Sequence, residues 1–551
     1  MATNTATTNV FSPAPDLQMK LDALVADLMM IGSANVSADS PAQQIQGMAT
    51  FEPVTIPGAD ADVSLDGGIV VPLGAGPFPI VIMPGPLADG GWKSYPAALI
   101  RSGAAGYVAL AYTERGLGNS TGVGDVAGLR DVADGSRVID WVLANYPQAD
   151  PTRIGFMGTS YGAGMSLLVA ANDPRVGAVA ALSAWADLGG ALLENGTPHI
   201  QAGQALANVF KGKLSDEAKA ILGDFLKGKI TDDFHSFCVP RSPVNYLRQL
   251  NERRVPVLLS TFWHETIFSV HGNVAFFNDL SGPKRLLVQV GDHSCDEIMG
   301  FAGLPSRATA TAYQWLDVFV KNRGRGDEDT TTVHAETMFT NVVTQVRKLA
   351  SWDAYVQPAV RYFLDVPAAG KDGVLSTTQG AGGTQDFTAG ADTAATIAPQ
   401  LIFTGLAERL GKPLDYATAT ISRENAIVWS TSAFGAAQQI TGPLPLHLTV
   451  TPADKGSLLV AHLFDLDPKT GIARIITSAP YTLAKAGPQI IDIALHPADY
   501  RVAAGHQLQL VVDSKDPMFD PILIPRAGKP SKIGISTANG DSYLDLPIRP
   551  A

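Results

Sequence analysis

The hydrophobic pattern divides the chain into two parts. Before residue 327, short apolar runs alternate with helical stretches, which is the pattern of a parallel sheet with helices on both faces. An amphipathic helix is predicted ahead of them, from Leu17 to Ile31. The predicted strands are Ile80 to Met83, Tyr107 to Tyr112, Arg153 to Met157, Val176 to Leu182, Val255 to Phe262 and Arg285 to Val290.

The strand signal disappears between Ala186 and Leu250. Three helices are predicted there, Ala202 to Lys211, Ser215 to Leu226 and Val244 to Leu250. We therefore expect residues 186–250 to form a helical cap inserted into an α/β core, whose two parts are residues 1–185 and 251–326.

The pattern changes again after the polar segment Asn322 to Asp327. Short β runs follow, and their spacing predicts a β-sandwich domain over residues 327–551. The clearest runs are Leu446 to Thr451, Ser457 to Phe464, Ile490 to Leu495 and Leu508 to Val512.

Composition and charge narrow the class of protein. The chain has 551 residues, of which 46% are hydrophobic and 17% charged, as expected for a globular protein of several domains. The 52 acidic and 40 basic residues give a net charge of -12, which argues against nucleic acid or an anionic membrane as partner. The sequence leaves the oligomeric state open.

Cysteine content, the N-terminus and the spacing of the histidines bear on the compartment and on cofactors. Only two cysteines occur, Cys238 and Cys295, which suggests a reducing compartment. The N-terminus shows no secretory pattern and no run is long enough to span a membrane, so we expect a cytoplasmic protein. His264 and His271 lack the spacing of a zinc motif, and no cofactor is predicted.

The segment Gly158-Thr159-Ser160-Tyr161-Gly162 carries the strongest chemical signal. It follows a predicted strand and leads into a helix of small residues. In a nucleophile elbow the serine sits on a strained strand-to-helix turn, and only very small residues two before and two after it avoid a clash. The pattern therefore predicts Ser160 as a nucleophile at the carboxyl end of a parallel sheet.

A serine nucleophile needs a base, and none of the ten histidines precedes Ser160. The order serine, acid, histidine is that of α/β-hydrolases. His293 directly follows the predicted strand Arg285 to Val290, where that fold places its base. We therefore expect His293 to take the proton of Ser160.

The acid that orients the histidine should follow the preceding strand. Glu265 stands there, and it is the natural choice. Asp279, Asp292 and Asp296 remain competitors, although Asp279 lies deeper in the next helical stretch and the other two are very near His293 in the chain.

An oxyanion hole needs two donors aimed at the tetrahedral intermediate. The Tyr161 N–H, directly after the nucleophile, is one. The other should come from the loop after Ile80 to Met83, where Pro86 has no N–H to give, so Leu87 is expected. Three tryptophans fall beside the expected crevice and are candidates for binding substrate, with core packing as the alternative: Trp92, Trp185 and Trp263.

The ordered set of motifs resembles a known family. Arg115-Gly116-Leu117-Gly118-Asn119-Ser120-Thr121-Gly122, then Ile139-Asp140-Trp141, then the elbow, is similar to the cocaine esterase and X-prolyl dipeptidyl-peptidase family of serine hydrolases. Trp263 lies two residues before Glu265, which resembles the family's tryptophan-x-aspartate pattern. The resemblance implies an α/β-hydrolase core with a C-terminal jelly roll.

Two departures from the family bear on the chemistry. The family usually has aspartate where this chain has Glu265, and cocaine esterase-like members place a tyrosine hydroxyl in the oxyanion hole. The loop from Pro84 to Trp92 contains no tyrosine, so the Leu87 N–H would replace that hydroxyl. Substrate preference is therefore not carried over from the family.

These observations predict a serine hydrolase that cleaves carboxylic esters through an acyl-enzyme, with a small-molecule ester or amide as substrate. An aminopeptidase or amide acylase is the enzymatic alternative, and it would need cap carboxylates to hold a substrate amine. The candidates are Glu194, Asp216, Glu217 and Asp233. A carbohydrate-binding or scaffolding protein is the non-enzymatic alternative.

Overall fold

The computed structural model describes residues 15–323, 330–339, 345–366, 371–396, 401–519 and 531–551. Its first part is built on a ten-stranded sheet with the order β1-β2-β4-β3-β5-β6-β7-β8-β9-β10. The strands are β1 Ala49–Pro57, β2 Ser64–Pro72, β3 Phe78–Pro84, β4 Val108–Tyr112, β5 Ala149–Thr159, β6 Val176–Leu182, β7 Val257–Phe262, β8 Lys284–Gln289, β9 Val333–Glu336 and β10 Val346–Leu349.

Helices cover this sheet and also occupy residues 186–250, the segment predicted as a cap. Their hydrophobic faces exclude water from strands such as β4 and β7, in which every residue is buried. The helices are α1 Pro15–Met29, α2 Pro96–Ala104, α3 Leu129–Asn145, α4 Tyr161–Asn172, α5 Leu188–Leu192, α6 Ile200–Val209, α7 Asp216–Phe225, α8 Asp232–Cys238, α9 Leu247–Glu252, α10 Val270–Asp279, α11 Cys295–Phe301 and α12 Arg307–Leu316.

The six strands predicted from the sequence are all present as β3 to β8, with ends shifted by a few residues at most positions. The parallel arrangement is confirmed from β3 and β4 through to β9. The edges differ from the prediction, because β1 and β2 form an antiparallel pair, β2 is antiparallel to β4, and β10 is antiparallel to β9. The sheet is therefore mixed at both ends and parallel where Ser160 lies.

The first sheet continues beyond the expected domain boundary at residue 326. The boundary itself lies outside the described residues, within 324–329. However, β9 pairs with β8, and β10 pairs with β9. Two strands that follow residue 326 thus belong to the first sheet, which ends only at Leu349.

The segment predicted as a cap leaves the sheet after β6 and returns to it at β7, and it contains α5 to α9. The expectation that it lacks strands is wrong in one place. A hairpin pairs Leu193–Glu194 with Thr197–Pro198. Strands of two residues are too short to show a period-two hydrophobic pattern, so they cannot be predicted from periodicity.

The C-terminal part is rich in β structure, as predicted. In its twelve-stranded sheet the long strand Gln438–Pro452 pairs with four others. Two helices accompany it, α13 Trp352–Tyr355 and α14 Leu401–Arg409. The strands are β11 Val360–Asp365, β12 Gly373–Ser376, β13 Thr384–Thr388, β14 Ile427–Ser430, β15 Gln438–Pro452, β16 Ser457–Asp467, β17 Ile472–Leu483, β18 Gln489–Val502, β19 Gln507–Asp513, β20 Lys532–Ser536, β21 Tyr543–Leu546 and β22 Ile548–Pro550.

A buried ion pair joins the cap hairpin to the C-terminal domain. The Glu194 Oε1 atom lies 2.6 Å from His496 Nε2, and its Oε2 atom lies 3.3 Å from His199 Nε2. Burial opposes both charges. Nevertheless the pKa of Glu194 is lowered, because the charge of His496 and the hydrogen bonds from both histidines favour the carboxylate. The pKa of His496 is raised by the charge and hydrogen bond of Glu194.

This pair predicts a stability that depends on pH. A raised histidine pKa stabilises the folded protein fully below the unfolded value of about 6.5, and this contribution is lost as pH rises through the folded pKa. We expect His496→Asn to lower the thermal midpoint (Tm) by several degrees at pH 6 and by less at pH 9. Thermal unfolding of both proteins at the two pH values measures this, and an equal loss at both would contradict it.

Candidate active site

Ser160 occupies a strained turn between β5 and α4. Its backbone angles are φ 54° and ψ -121°, which non-glycine residues rarely adopt. A Cβ on Gly158 would lie 2.4 Å from the Gly162 carbonyl carbon, and one on Gly162 would lie 2.1 Å from the Pro84 oxygen. These contacts explain why glycine stands two residues before and two after Ser160.

The structure brings Ser160, His293 and Glu265 into one hydrogen-bonded chain. The Ser160 Oγ atom lies 2.8 Å from His293 Nε2, and His293 Nδ1 lies 2.8 Å from Glu265 Oε1. In the tautomer that satisfies both contacts, Nδ1–H donates to the carboxylate and Nε2 accepts from the serine. Three residues from the ends of three different strands thus meet with the geometry that proton transfer from a hydroxyl requires.

The surroundings of His293 favour its protonated form. Burial alone would lower the pKa of the imidazole, but the charge and hydrogen bond of Glu265 outweigh it, so the pKa is raised above the usual 6.5. Phe268 packs its ring edge-to-face on the imidazole, with centroids 5.1 Å apart. A proton taken up by His293 is therefore stabilised by the neighbouring carboxylate.

Asp292 holds the loop that carries Glu265. Its Oδ1 atom accepts the backbone N–H of Thr266 at 3.0 Å and that of His293 at 2.6 Å. Burial, followed by the nearby charge of Glu265, raises the pKa of Asp292 to about 7. Asp292, which the sequence left as a competitor for the acid, thus contacts the His293 backbone, whereas Glu265 contacts the ring.

A second buried carboxyl group, Glu297, ties together the ends of neighbouring strands. Its Oε1 atom accepts from Ser260 Oγ at 2.7 Å, from Ser183 Oγ at 3.2 Å and from Gln289 Nε2 at 3.3 Å. Burial is the largest cause that raises its pKa to about 7. The sequence analysis missed Glu297, because its only local signal was an acidic residue in the first turn of α11.

The remaining competitors for the acid lie elsewhere. Asp296 binds Arg409 of the C-terminal part, with Oδ1 3.0 Å from Nε. Asp279 is exposed at the end of α10. Neither is hydrogen-bonded to the His293 ring, so among the described carboxylates Glu265 alone makes that contact.

Leu87 and Tyr161, the expected oxyanion donors, both lie in the region of Ser160. Tyr161 is the first residue of α4, and the N–H groups of a first helical turn have no partner within the helix. In the described part of the chain the Leu87 N–H likewise donates to no acceptor. Leu87 is buried and shares one cavity with Tyr161 and another with Ser160.

The Tyr161 side chain fixes a strained loop close to Ser160. Its hydroxyl accepts the Ala127 N–H at 2.5 Å and donates to Asp131 Oδ2 at 2.9 Å. Val126 and Ala127 both have positive φ, 53° and 60°, which costs free energy in residues with a Cβ. Arg241, which follows the cap helix α8, donates to the Asp125 carbonyl at 3.0 Å and so secures the same loop.

The three tryptophans have different surroundings. Trp185 lines a cavity beneath the cap, and its Nε1 donates to the Arg241 carbonyl at 2.7 Å. Trp263 donates to the Glu336 carbonyl and faces a different cavity, beside Glu265. Trp92 is buried in the core, where it packs against Gly68 and donates a hydrogen bond to Asp66. The structure therefore does not bring it to Ser160.

Two cavities border the candidate site. We call the first the serine cavity, which contains Ser160 and His293 and has about 760 Å³ of space, including the part open to solvent. The second, the cap cavity, has about 750 Å³ of space on the same measure and an almost wholly apolar wall. Leu87 lines both. The wall of the cap cavity includes Val126, Trp185, Leu188, Leu192, Leu206, Phe210, Ile221, Leu222, Phe225, Phe234, Phe237 and Phe268.

A third cavity lies beside Glu265 and has several charged side chains in its wall. We call it the acid-side cavity; its space, including the part open to solvent, is about 600 Å³, and it lies between the core, the cap hairpin and the C-terminal domain. Glu194, Glu265 and His496 line it, whereas Ser160 and His293 do not. Within it, the side chain of His264 lies 3.0 Å from Glu408 of α14, which links the acid loop to the C-terminal domain.

Comparison with known families matches both parts of the chain. Residues 60–295 match the family model of the X-Pro dipeptidyl-peptidase (S15 family), and residues 325–526 match that of the X-Pro dipeptidyl-peptidase C-terminal non-catalytic domain. The fold is that of an α/β-hydrolase followed by a β-rich domain. The chain belongs to the cocaine esterase and X-Pro dipeptidyl-peptidase family of hydrolases, which confirms the family indicated by the sequence motifs.

Solved structures share the fold over nearly the whole chain. A CocE/NonD family hydrolase from Staphylococcus aureus has a TM-score of 0.67 at 16% identity, covering 91% of this chain and 94% of its own. An alpha-amino acid ester hydrolase has a TM-score of 0.69 at 16% identity, covering 94% and 98%. An aminopeptidase from a marine sediment Thaumarchaeota archaeon has a TM-score of 0.67 at 16% identity, covering 93% and 99%.

At this identity the likeness establishes the fold and not the substrate. A search of curated proteins found no significant match to the chain. None of the helices in the described residues is both long enough and apolar enough to cross a bilayer.

The role of the Tyr161 hydroxyl can be tested by measuring stability. In Tyr161→Phe the Ala127 N–H and the Asp131 carboxyl lose their buried partner, which costs about 1–3 kcal/mol. We expect a lower Tm and easier unfolding in urea. Tyr146→Phe is the control, because that hydroxyl binds Glu52 at an exposed site, and an equal loss in both variants would contradict the assigned role.

Proposed function

We propose that this hydrolase cleaves carboxylic esters through an acyl-enzyme formed on Ser160. The observation that carries the proposal is the hydrogen-bonded chain from Ser160 through His293 to Glu265, with both heavy-atom distances at 2.8 Å. The strained backbone of Ser160 supports it, because this conformation exposes a hydroxyl at the end of a strand.

The proposed reaction has two balanced halves. Ser160 Oγ bonds to the acyl carbon while its proton passes to His293 Nε2, and the bond to the alcohol oxygen then breaks as that oxygen takes the proton. Water attacks the acyl-enzyme, gives a proton to His293, and Ser160 leaves with it. Glu265 stabilises the imidazolium in both halves, and the N–H groups of Leu87 and Tyr161 hold the oxyanion.

The apolar cap cavity supports an uncharged acyl group. No charged side chain is among its lining residues in the described part of the chain, so a substrate ammonium would have no partner there. The cap carboxylates considered for an aminopeptidase lie elsewhere. Glu194 binds His496, and Asp216, Glu217 and Asp233 are exposed. These positions favour an ester over an aminoacyl peptide.

We further propose a cytoplasmic location, which is supported by the chemistry of the two cysteines. Cys238 and Cys295 are both free and buried. Free thiols are typical of reducing compartments. Cell fractionation would test the location independently of the reaction.

Removal of the nucleophile is the first test of function. We expect Ser160→Ala to lower kcat/KM for p-nitrophenyl esters by a factor on the order of 10⁴ or more while Tm is retained. A fluorophosphonate probe should label the native protein and not this variant. An unlabelled native protein would favour the binding or scaffolding alternative, and faster cleavage of aminoacyl anilides than of esters would favour the aminopeptidase.

The acid has its own test, through the pH profile. Because His293 must be neutral to act as base and Glu265 raises its pKa, the acid limb of kcat/KM should have a midpoint above 6.5. We expect Glu265→Gln to lower the rate by a factor on the order of 10³ to 10⁴ and to move that midpoint to lower pH. Kinetics from pH 5 to 9 measure both.

Two carboxylates serve as controls for Glu265. Asp279→Asn changes an exposed group and should leave the profile as it is. Asp292→Asn keeps an oxygen that can accept the N–H groups of His293 and Thr266, so a smaller loss is expected. A near-native Glu265→Gln together with an inactive Asp292→Asn would mean that the acid has been misassigned.

A further inference from the structure

Helix α1 forms one wall of the serine cavity. Gln18 and Leu21 of this helix line the same space as Ser160 and His293, together with the loop that follows β3. The helix precedes the region that matches the family model, which begins at residue 60. Its place beside the nucleophile is therefore a feature of this chain that the family match does not describe.

The helix is held firmly against the core. Leu17, Leu21, Leu24 and Leu28 are buried along one face, at the spacing of a helix that packs on its inner side. Leu17 and Leu21 pack against Ala302, directly after α11, while α11 begins two residues beyond His293. The wall and the base are thus positioned by the same short segment.

The direction of proton transfer decides which part of the substrate this cavity receives. His293 must return the proton to the leaving oxygen, so the leaving group has to lie on the side that His293 faces. His293 lines the serine cavity and does not line the cap cavity. The acyl chain, which needs no proton, is left with the apolar cap cavity on the other side of Leu87.

We propose that the serine cavity is the site for the alcohol of the ester, and that Gln18 and Leu21 of α1 select alcohols by size. This inference rests on the proposed ester hydrolysis. The buried Leu21 and Phe301 give the inner wall an apolar part, whereas Asp89 and Lys93 are exposed at the rim. The chemistry fits a bulky alcohol that is apolar next to the ester bond and polar at its far end.

The test narrows the cavity without disturbing the core. Gln18 is exposed, so Gln18→Trp adds bulk at the wall and leaves the buried leucines in place. Met19→Trp is the matched control, because Met19 is 62% exposed on the same helix and does not line the cavity. Tm of each variant reports whether the helix remains packed.

Two ester series separate the alcohol site from the acyl site. The first keeps the acetyl group and varies the alcohol from methanol to phenol to 2-naphthol, and the second keeps p-nitrophenol and lengthens the acyl chain from acetyl to hexanoyl. We expect Gln18→Trp to lower the kcat/KM ratio of 2-naphthyl to methyl ester by about 10-fold or more. The order of preference in the acyl series and the behaviour of Met19→Trp should match the native protein.

Each other outcome contradicts the inference. An equal loss for every ester would show only damage to the fold. A change in the acyl series would assign the acyl group, and not the alcohol, to the serine cavity. An unchanged alcohol series would mean that α1 does not contact the alcohol. If the native protein hydrolyses none of these esters, the proposed function fails with it. If the native protein hydrolyses them and only the alcohol series is unaffected, the proposed function stands and this inference alone fails.

Discussion

The backbone packing around Ser160 is the constraint on which the rest of the site depends. With no Cβ on Gly158 or Gly162, β5, α4 and the end of β3 approach more closely than side chains would permit. Each residue held at such unfavourable backbone angles destabilises the fold by on the order of 1–3 kcal/mol, so the surrounding structure must enforce the conformation. Here buried strands on both sides of β5 do so, and the loops bearing Leu87 and His293 are placed relative to that fixed point.

Burial of charge is the second constraint, and it explains the polar network behind His293. Glu265, Asp292 and Glu297 are all buried within a short distance of the imidazole. The pKa values of Asp292 and Glu297 are raised to about 7, so both can remain protonated in mildly acidic conditions. Their backbone and hydroxyl contacts make them supports for the loops, while Glu265 makes the contact to the ring.

The parts of the structure that were predictable are those whose signal is local. Continuous apolar runs marked β3 to β8, and the glycines around Ser160 marked the elbow, because in each case neighbouring residues carry the whole constraint. Edge strands such as β9 and β10 were not predicted, because they are short and their pairing depends on residues far along the chain. Trp92 and Glu297 show the same limit, because composition alone does not tell a core contact from a contact beside the site.

Leu87 separates the serine cavity from the cap cavity, and His293 lines only the first of the two. This arrangement bears on the order in which the alcohol leaves and water attacks. In the proposed mechanism the water that attacks the acyl-enzyme must be activated by His293, and His293 faces only the serine cavity of the two. That space is filled until the first product has left. Hydrolysis of the acyl-enzyme therefore waits for departure of the alcohol, and any second alcohol that enters before water would accept the acyl group instead. Under the proposed mechanism, competition between water and alcohol for the vacated space beside α1 would set the partition between hydrolysis and transfer.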